Sequence, residues 1–316
     1  MDWLPDPSEP SIREALASAA PALAHAEIEL ASEAEYSNPE WCAGTAIVGR
    51  AFLVKVAWSE PAAIRVLREA RILAALAVAA PGLPIPDLVG MSSSPVGFVT
   101  RLAEGVPLGH AERPPWAAVA SELAGFLARL HEPSLLARVQ DEVPGLVVPR
   151  PQGTTDAIRS RLPPFLDANR ADLARRWCDW VDEILASPSP QQVLVHGDLH
   201  GYNQVWARST WTLRLVADFE VSGPGDPEYD LRYLPPLEPT LGFVNSVCER
   251  YTALSGTSLD LRRVMAWHVR TALGDALWRS EAGVPLPAGC TPASYVDDIR
   301  RKLDELGEPR ALMRAG

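Results

Sequence analysis

Two polar motifs on either side of a predicted β-hairpin constrain the fold of this chain more than any other feature. The first runs from His196 to Asn203 and reads His-Gly-Asp-Leu-His-Gly-Tyr-Asn, and the second begins at Asp218 and reads Asp-Phe-Glu. Between them lie two short strand-like runs, residues 204–207 and 212–217, joined by a polar turn. A hairpin of that length is expected to bring Asp218 back beside Asn203.

The spacing inside the first motif indicates a chemistry. Asp198 and Asn203 are separated by four residues, as in the kinase loop H-R-D-x-x-x-x-N, where the Asp orients and deprotonates a hydroxyl and the Asn holds a metal ion. Oxygen ligands from Asn203 and Asp218 would suit Mg²⁺, which takes few protein ligands. Isolated Asp and Asn residues more often cap turns. Two such motifs in the right order, with a hairpin between them, favour phosphoryl transfer.

Composition and charge place the chain among globular proteins and narrow its partners. At 316 residues, with 47% hydrophobic and 22% charged residues, it can form two lobes or domains around sizeable cores. The formal net charge of -11 argues against a general nucleic-acid binder, which needs a basic surface. The same charge is compatible with a cationic small-molecule substrate.

The cysteines and the N-terminal segment indicate the compartment. The four cysteines are far apart and form no C-x-x-C pair, so neither a zinc site nor a disulfide framework is predicted. The N-terminus carries acidic residues without a basic region, and no apolar run reaches membrane-spanning length. We therefore expect a cytoplasmic enzyme, a monomer or homodimer, without membrane or nucleic-acid partners.

One lysine stands out in a chain whose basic residues are almost all arginine. Lys55 is one of only two lysines and lies in an apolar strand. Glu69 lies in a helix predicted over residues 60–79, with Pro at an early position where it does no harm. A strand Lys paired with a helix Glu fixes phosphate-binding geometry in kinases. In the alternative, Glu69 pairs with Arg65 or Arg68 on a solvated helix face.

Two further segments are candidates for nucleotide contacts. Ser37 and Asn38, in a polar linker between the first two predicted strands, could offer donors to nucleotide phosphates. Because the linker lacks a G-x-G-x-x-G pattern, a simple hairpin turn is the alternative. The segment Thr100, Arg101 and Leu102 has the position of a hinge, where backbone N–H and C=O groups could pair with an adenine edge.

The remaining elements follow from hydrophobic periodicity and from helix start signals. After the hinge the chain is predicted to be mostly helical, with a Pro- and Arg-rich connection that extends to about residue 164. The predicted strands cover residues 25–36, 46–48, 52–58, 87–91 and 97–102, and the predicted helices cover residues 11–23, 60–79, 115–131, 171–186, 241–254, 259–281 and 295–306.

Taken in order, these motifs and the run Gly-Asp-Pro-Glu-Tyr-Asp-Leu at 225–231 resemble the aminoglycoside phosphotransferase family of antibiotic and small-molecule kinases. The resemblance spans roughly residues 37–234. It implies an α+β, protein-kinase-like bilobal fold, with an N-terminal lobe over residues 1–102 and a helical C-terminal lobe over 103–316. It also implies transfer of the γ-phosphoryl group of ATP or GTP, with Mg²⁺, to a substrate hydroxyl.

The resemblance assigns a role to each matching residue. Asp198 would be the catalytic base, His196 would stiffen its loop, and Asp230 would hold that loop through backbone hydrogen bonds. Asn203 and Asp218 would bind Mg²⁺. Lys55 would contact the α and β phosphates, with Glu69 holding Lys55 in position. Phe219-Glu220 departs from the Phe-Gly of protein kinases, so Glu220 would help order metal or water. No activation segment follows, and a protein substrate is therefore not expected.

The acceptor is expected among the C-terminal helices. Asp275, Trp278 and Glu281 fall three apart on one predicted helix face, with Trp267 and His268 earlier. Carboxylates and an aromatic ring suit an amino sugar, whereas a core Trp with solvated acids is the alternative. An antibiotic O-kinase, a metabolic small-molecule kinase (sugar, choline or homoserine type) and a non-catalytic nucleotide-binding module all remain open, although the intact catalytic and metal motifs argue against the last.

Overall fold

The computed structural model describes residues 1–30, 39 and 42–308, apart from the side chain of Ala288. Ser37 and Asn38, the predicted phosphate donors, lie outside the described residues. The described chain is α+β, as predicted. It divides into two compact units: the first comprises residues 1–114, 129–147 and 201–223, and the second comprises 115–128, 148–200 and the residues from 224 onward. The lobe boundary after residue 102 stays a prediction.

Ten strands and ten α-helices are found in the described residues. The strands are β1 (Ile28–Leu30), β2 (Ala43–Val48), β3 (Phe52–Ala57), β4 (Leu88–Ser93), β5 (Val96–Arg101), β6 (Val106–Pro107), β7 (Val193–Val195), β8 (Gln204–Trp206), β9 (Leu213–Val216) and β10 (Gly223–Gly225). The helices are α1 (Glu9–Ala19), α2 (Glu60–Ala79), α3 (Trp116–Leu130), α4 (Pro133–Glu142), α5 (Thr155–Arg161), α6 (Ala168–Ala186), α7 (Pro227–Asp230), α8 (Gly242–Ser255), α9 (Leu261–Ala282) and α10 (Pro292–Leu306).

The first unit is built on a five-stranded antiparallel sheet in the order β1-β2-β3-β5-β4. Strand β3 lies in the middle, where Lys55 pairs with Thr45 of β2 and with Phe98 of β5. A second sheet in this unit joins β6, β8 and β9 in that order. The predicted hairpin between the two polar motifs is the β8–β9 pair, with Gln204 opposite Val216.

Helix α1 packs closely on the five-stranded sheet. A Cβ atom on Gly90 of β4 would lie 2.0 Å from the carbonyl oxygen of Ala19, so only glycine fits there without moving the helix. The helix ends earlier than predicted, at Ala19 rather than residue 23. The reason is local, because Ala20 precedes Pro21 and a residue before proline is displaced from the helical region.

Helix α2 has the bounds that the sequence predicts. The hydroxyl of Ser59 accepts a hydrogen bond from the N–H of Ala62 at its start, and a proline occupies the first turn. Its buried stripe follows helical spacing and includes Val66, Glu69 and Leu73. Glu69 thus occupies a core-facing position, where an unpaired carboxylate would be costly.

The second unit is mostly helical, with β7 and residues 224–225 of β10. Helix α9 contacts α5, α6, α7 and α10 in this unit. The long connection predicted as far as residue 164 proves to contain two helices, α4 in the first unit and α5 in the second. Among the described residues, no helix combines the length and the apolar character needed to cross a membrane.

Candidate active site

Lys55 is the centre of a cluster of charged side chains in the first unit. Its ammonium nitrogen lies 2.7 Å from Glu69 Oε2, 2.8 Å from Asp218 Oδ1 and 3.0 Å from Glu220 Oε2. The predicted ion pair between the strand lysine and the helix glutamate is therefore present, and Asp218 joins it from far along the chain. An ammonium has three protons, and each of these three carboxylates can accept one.

Burial and charge act against each other in this cluster. Burial disfavours the charged form of Lys55, but Glu69, Asp218 and Glu220 together raise its pKa well above the ordinary lysine value. Burial raises the pKa of Glu69 to about 7, although the Lys55 charge opposes this effect. Lys55 consequently stays cationic, and it is held as a fixed positive charge inside the first unit.

The three carboxylates could be mistaken for a metal site. Ligand oxygens of Glu69, Asp218 and Glu220 all lie within 4.8 Å of one another. The ammonium of Lys55, however, donates to all three, so this arrangement binds an internal cation. A metal ion would need carboxylate oxygens outside the cluster, and Asp218, whose side chain is 33% exposed, can turn its second oxygen outward.

Helix α2 holds the segment that carries Asp218. Glu69 Oε1 accepts the N–H of Phe219 at 3.1 Å. Arg65 forms an ion pair with the carboxylate of Glu220, and Arg68 donates to the Glu220 carbonyl oxygen from Nε at 3.0 Å and from Nη2 at 2.6 Å. The two arginines therefore bind the Phe219-Glu220 segment, and the alternative of a solvated Glu69–Arg pair on α2 is wrong.

The β8–β9 hairpin brings the two predicted metal ligands to the same end. The N–H of Ala217 donates to the carbonyl oxygen of Asn203 at 2.8 Å, so Asp218 follows directly after a residue paired with Asn203. Asp218 has a φ of 70°, in the left-handed region that is uncommon for a residue with a side chain. This conformation turns the chain out of β9 while the carboxylate contacts Lys55.

The predicted hinge is engaged in the five-stranded sheet. Thr100 and Arg101 belong to β5. The N–H of Arg101 donates to the Asp87 carbonyl oxygen at 3.0 Å, and the N–H of Leu102 donates to the Ala51 carbonyl oxygen at 2.9 Å. Both N–H groups are therefore already paired within the sheet. A backbone contact between residues 100–102 and an adenine edge stays a prediction.

The first polar motif, as far as His200, lies in the second unit, where a buried carboxylate fixes its backbone. Asp230 Oδ2 accepts the N–H of His196 and Oδ1 accepts that of Gly197, both at 2.8 Å. Gly197 has a φ of 86°, which suits glycine. His196 is fully buried, and its Nδ1 accepts the N–H of Asp198 at 3.1 Å. Its side chain supports the loop and has no exposed surface with which to react.

Asp198 itself remains reachable, and three side chains of the second unit surround it. Its side chain is 29% exposed, with His200 Nε2 3.5 Å from Oδ2 and Arg232 Nη2 3.7 Å from Oδ1. The hydroxyl of Tyr233 is hydrogen-bonded to it as well. Arg232 and Tyr233 were not predicted from sequence, although they follow the motif that ends at Asp230-Leu231.

The predicted acceptor patch on α9 differs from an open acidic surface. Asp275 pairs with Arg279 at 2.9 Å and Glu281 with Arg161 at 2.8 Å, so both carboxylates are already neutralised by arginine. Trp278 is 43% exposed and has the Arg279 guanidinium 5.3 Å from its ring centroid. The patch therefore offers an aromatic ring with bound ion pairs, and it does not offer free acids.

Trp267 and His268, which were predicted to lie near this patch, are partly buried and buried, respectively, in the second unit. Trp267 Nε1 donates to Asp226 at 3.1 Å, and its ring packs edge-on against Tyr229. His268 is buried, with Nδ1 2.9 Å from the Arg232 carbonyl oxygen. Both side chains therefore have structural partners.

Comparisons with known proteins identify the family and the fold of this chain. A model of the phosphotransferase enzyme family matches residues 30–280.

Three solved structures share the fold over almost the whole chain. The GDP and kanamycin complex of APH(2")-IIIa has a TM-score of 0.64 and 20% identity, covering 95% of this chain and 98% of that one. The GDP complex of wild-type aminoglycoside 2'-phosphotransferase-IIIa has a TM-score of 0.61 and 20% identity, covering 90% and 92%. Macrolide 2'-phosphotransferase type I has a TM-score of 0.58 and 18% identity, covering 95% and 97%.

The family model carries the assignment, because at such identities the solved structures show only a common fold. No curated protein matches the sequence at a significant level. The match of the family model includes both polar motifs, the strand lysine and the helix glutamate. This chain belongs to the phosphotransferase enzyme family.

Proposed function

We propose that this enzyme transfers the γ-phosphoryl group of ATP or GTP, with Mg²⁺, to a hydroxyl of an antibiotic or aminoglycoside-like small molecule, giving resistance or self-protection. The observation that carries the nucleotide part is the Lys55 cluster, in which the strand lysine contacts Glu69 at 2.7 Å and Asp218 at 2.8 Å. In kinases this pairing prepares a cation for nucleotide phosphates and a carboxylate for the metal.

The side chains of the first unit supply the nucleotide-binding charges in this proposal. Lys55 would bind the α and β phosphates as a point charge, and Glu69 would hold its position. Asn203 and Asp218 fit a Mg²⁺ ion, because they are oxygen donors at the same end of the β8–β9 hairpin. When bound, Mg²⁺ would neutralise charge on the phosphate oxygens. The phosphate contacts proposed for Ser37 and Asn38 remain part of the hypothesis.

Asp198 is the proposed base. Phosphoryl transfer asks the protein mainly for position and charge, and the base need only accept the proton of the acceptor hydroxyl. The backbone on its N-terminal side is fixed by Asp230, its own N–H by His196, and its carboxylate stays partly exposed. A carboxylate that is held in place yet reachable has the properties required of the base.

Two observations other than the Lys55 cluster support the proposed class of acceptor. The solved structures of similar fold include proteins named for aminoglycosides and a macrolide, and the net charge of -11 would attract a cationic compound. A second candidate is a metabolic small-molecule kinase. It is favoured by the ion pairs of Asp275 and Glu281 with arginines, because these leave the α9 patch without free acids for an amino sugar.

A panel of hydroxyl compounds tests the proposal. We expect nucleotide- and Mg²⁺-dependent ADP release with an aminoglycoside or a macrolide, confirmed by mass spectrometry of the phosphorylated product. Asp198→Asn should lower kcat by about 10²-fold to 10⁴-fold, the range for loss of a general base, with nucleotide affinity unchanged. Asp304→Asn, at an exposed position on α10, is the matched control and should keep full activity.

Two results separate the alternatives. Turnover with a sugar, choline or homoserine but with no antibiotic would establish the metabolic kinase. Full turnover by Asp198→Asn would remove this residue from the role of base.

A further inference from the structure

Arg232 is a buried guanidinium directly beside the proposed base. Its side chain is only 3% exposed. Nη2 donates to the carbonyl oxygen of Gly197 at 2.6 Å, and Nη1 donates to that of Tyr229 at 3.0 Å. These bonds tie the residue before Asp198 to the short helix α7. A buried cation with such partners has a fixed position, since leaving them would cost its hydrogen bonds inside the protein.

Two aromatic rings hold the same guanidinium. Its central carbon lies 3.8 Å from the ring centroid of Tyr229 and 4.2 Å from that of Tyr233. A planar guanidinium can stack on rings while its edge donates hydrogen bonds, whereas an ammonium has neither the plane nor the fork of donors. This position therefore requires arginine rather than any cation.

The positive charge lies against the carboxylate of Asp198. Arg232 Nη2 is 3.7 Å from Asp198 Oδ1, and the hydroxyl of Tyr233, one of the stacking rings, is hydrogen-bonded to the same carboxylate. Burial disfavours the cation, but the neighbouring tyrosines and the carboxylates of Asp198 and Asp230 keep the pKa of Arg232 above its ordinary value. One cation thus contacts both the backbone and the carboxylate of the catalytic loop.

We propose that Arg232 is a positioning residue for Asp198, fixing the Gly197 carbonyl and the Asp198 carboxylate together so that the base is held in one place. This inference rests on the proposed function, because it takes Asp198 as the base. It assigns the Tyr229–Arg232–Tyr233 stack a task in catalysis beyond its part in the core. A displacement of about 1 Å in a reacting group can cost about 10²-fold in rate.

Replacement of Arg232 tests the inference by kinetics. We expect Arg232→Lys, which keeps a charge but loses the fork and the stacking plane, to lower kcat by about 10²-fold with the KM for nucleotide unchanged. The matched control is Arg263→Lys. Arg263 is also buried in the second unit, and it donates to one carboxylate, that of Asp226, and to the Ile184 and Ser187 carbonyls. Arg263→Lys should lose stability and keep kcat.

The two variants also decide the opposite outcome. If both variants fold and Arg232→Lys keeps the kcat of the wild type, Arg232 has only a structural role and the inference is overturned. If kcat falls equally in Arg232→Lys and Arg263→Lys, the inference is also overturned, since both variants would then report a general loss of packing.

A second measurement needs no turnover and so separates this inference from the proposed function. The guanidinium protons of Arg232 can be followed by ¹H–¹⁵N NMR and assigned by their absence in Arg232→Lys. In Asp198→Asn, whose altered side chain is partly exposed, these signals should shift if the carboxylate holds the guanidinium. Unchanged signals would overturn the inference, even in an enzyme with full activity. If no acceptor is phosphorylated, the proposed function fails, whereas the NMR comparison still decides whether the two side chains are coupled.

Discussion

At the scale of single residues, His268 connects the catalytic loop to stability. Burial lowers the pKa of His268 to about 4. The positive charge of Lys302 lowers this pKa further, whereas the bond of Nδ1 to the Arg232 carbonyl oxygen and the negative charge of Asp298 only partly oppose the decrease. The neutral ring must donate from Nδ1, because a carbonyl oxygen can only accept. His268 is therefore uncharged in the fold at neutral pH.

This residue makes stability depend on pH in a defined window. The ordinary pKa is 6.5 and the folded value about 4, so between these values the unfolded chain binds a proton that the fold does not. The contribution of His268 is fully present above pH 6.5 and is lost as the pH falls towards 4. We expect urea unfolding of wild type and His268→Gln to differ in slope, by at most about 1.4 kcal/mol per pH unit in this window. Parallel pH curves would contradict the prediction.

Which single residues could be predicted from sequence depended on how unusual each residue type was. Lys55 stood out because the chain has 29 basic residues but only two lysines, and its pairing with Glu69 followed. Arg232 could not stand out in the same way, because arginine is common here. Its partner Gly197 is 35 residues away in sequence, and only the fold brings them together.

At the scale of elements, helix α2 determines the geometry of the Phe219-Glu220 segment, which follows the proposed metal ligand Asp218. Arg65, Arg68 and Glu69 lie three and four residues apart, on one side of the helix. All three contact the Phe219-Glu220 segment. The start and end of α2 were predictable from its Ser cap, its proline and its apolar stripe. The partners of its arginines were not, because they lie more than 150 residues further along the chain.

Loosening this contact should weaken the enzyme without unfolding it. A lost hydrogen bond to a charged group costs about 1.5–3 kcal/mol, so we expect Arg65→Gln to reduce kcat/KM for the nucleotide by about 10-fold to 10²-fold. Arg71→Gln, an exposed arginine on the same helix, removes the same charge and is the control. Initial rates at varied nucleotide concentration measure both. Equal effects would show that α2 acts only through its net charge.

Elements without strong local signals were predicted less well. The Pro- and Arg-rich connection after α3 contains α4 and α5, which start at a proline and after a Thr cap respectively. The prolines of this connection made it resemble a loop, although the proline in the first turn of α4 is tolerated. The hinge was placed by position alone, and the sheet bonds of Arg101 and Leu102 could not be derived from sequence because they depend on strand register.

At the scale of the whole molecule, bound nucleotide should stabilise the fold more strongly with its metal than without it. Ligand at about 100 times its Kd adds about 2.7 kcal/mol, which for a protein of this size is a rise in Tm of about 5 °C. We expect that rise with ATP or GTP and Mg²⁺, and a smaller one with EDTA. Asp218→Asn should lose the Mg²⁺-dependent part, whereas Asp141→Asn, exposed on α4, should keep it. An equal rise with EDTA would contradict metal binding by Asp218.

The fold and the family were predictable because phosphoryl transfer requires a few residue types in a fixed order. The acceptor was not, since the surface that side chains of the C-terminal helices offer depends on how they pair with one another. The ion pairs of Asp275 and Glu281 illustrate this limit. Sequence spacing placed both acids on one helix, with Arg279 four residues after Asp275. The partner of Glu281, Arg161, lies 120 residues away and is set by tertiary packing.

The first compact unit is discontinuous, and this has a consequence for the order in which the chain is made. Its residues come from segments 1–114, 129–147 and 201–223. A ribosome synthesises the chain from the N-terminus at about 5–20 residues per second, so the five-stranded sheet emerges well before Asp218 and Glu220. For several seconds the nascent chain carries Lys55 and Glu69 without their later partners. Chaperones that recognise incomplete domains would meet the protein in this interval, and a gene fragment that stops at residue 102 would remain in that state permanently.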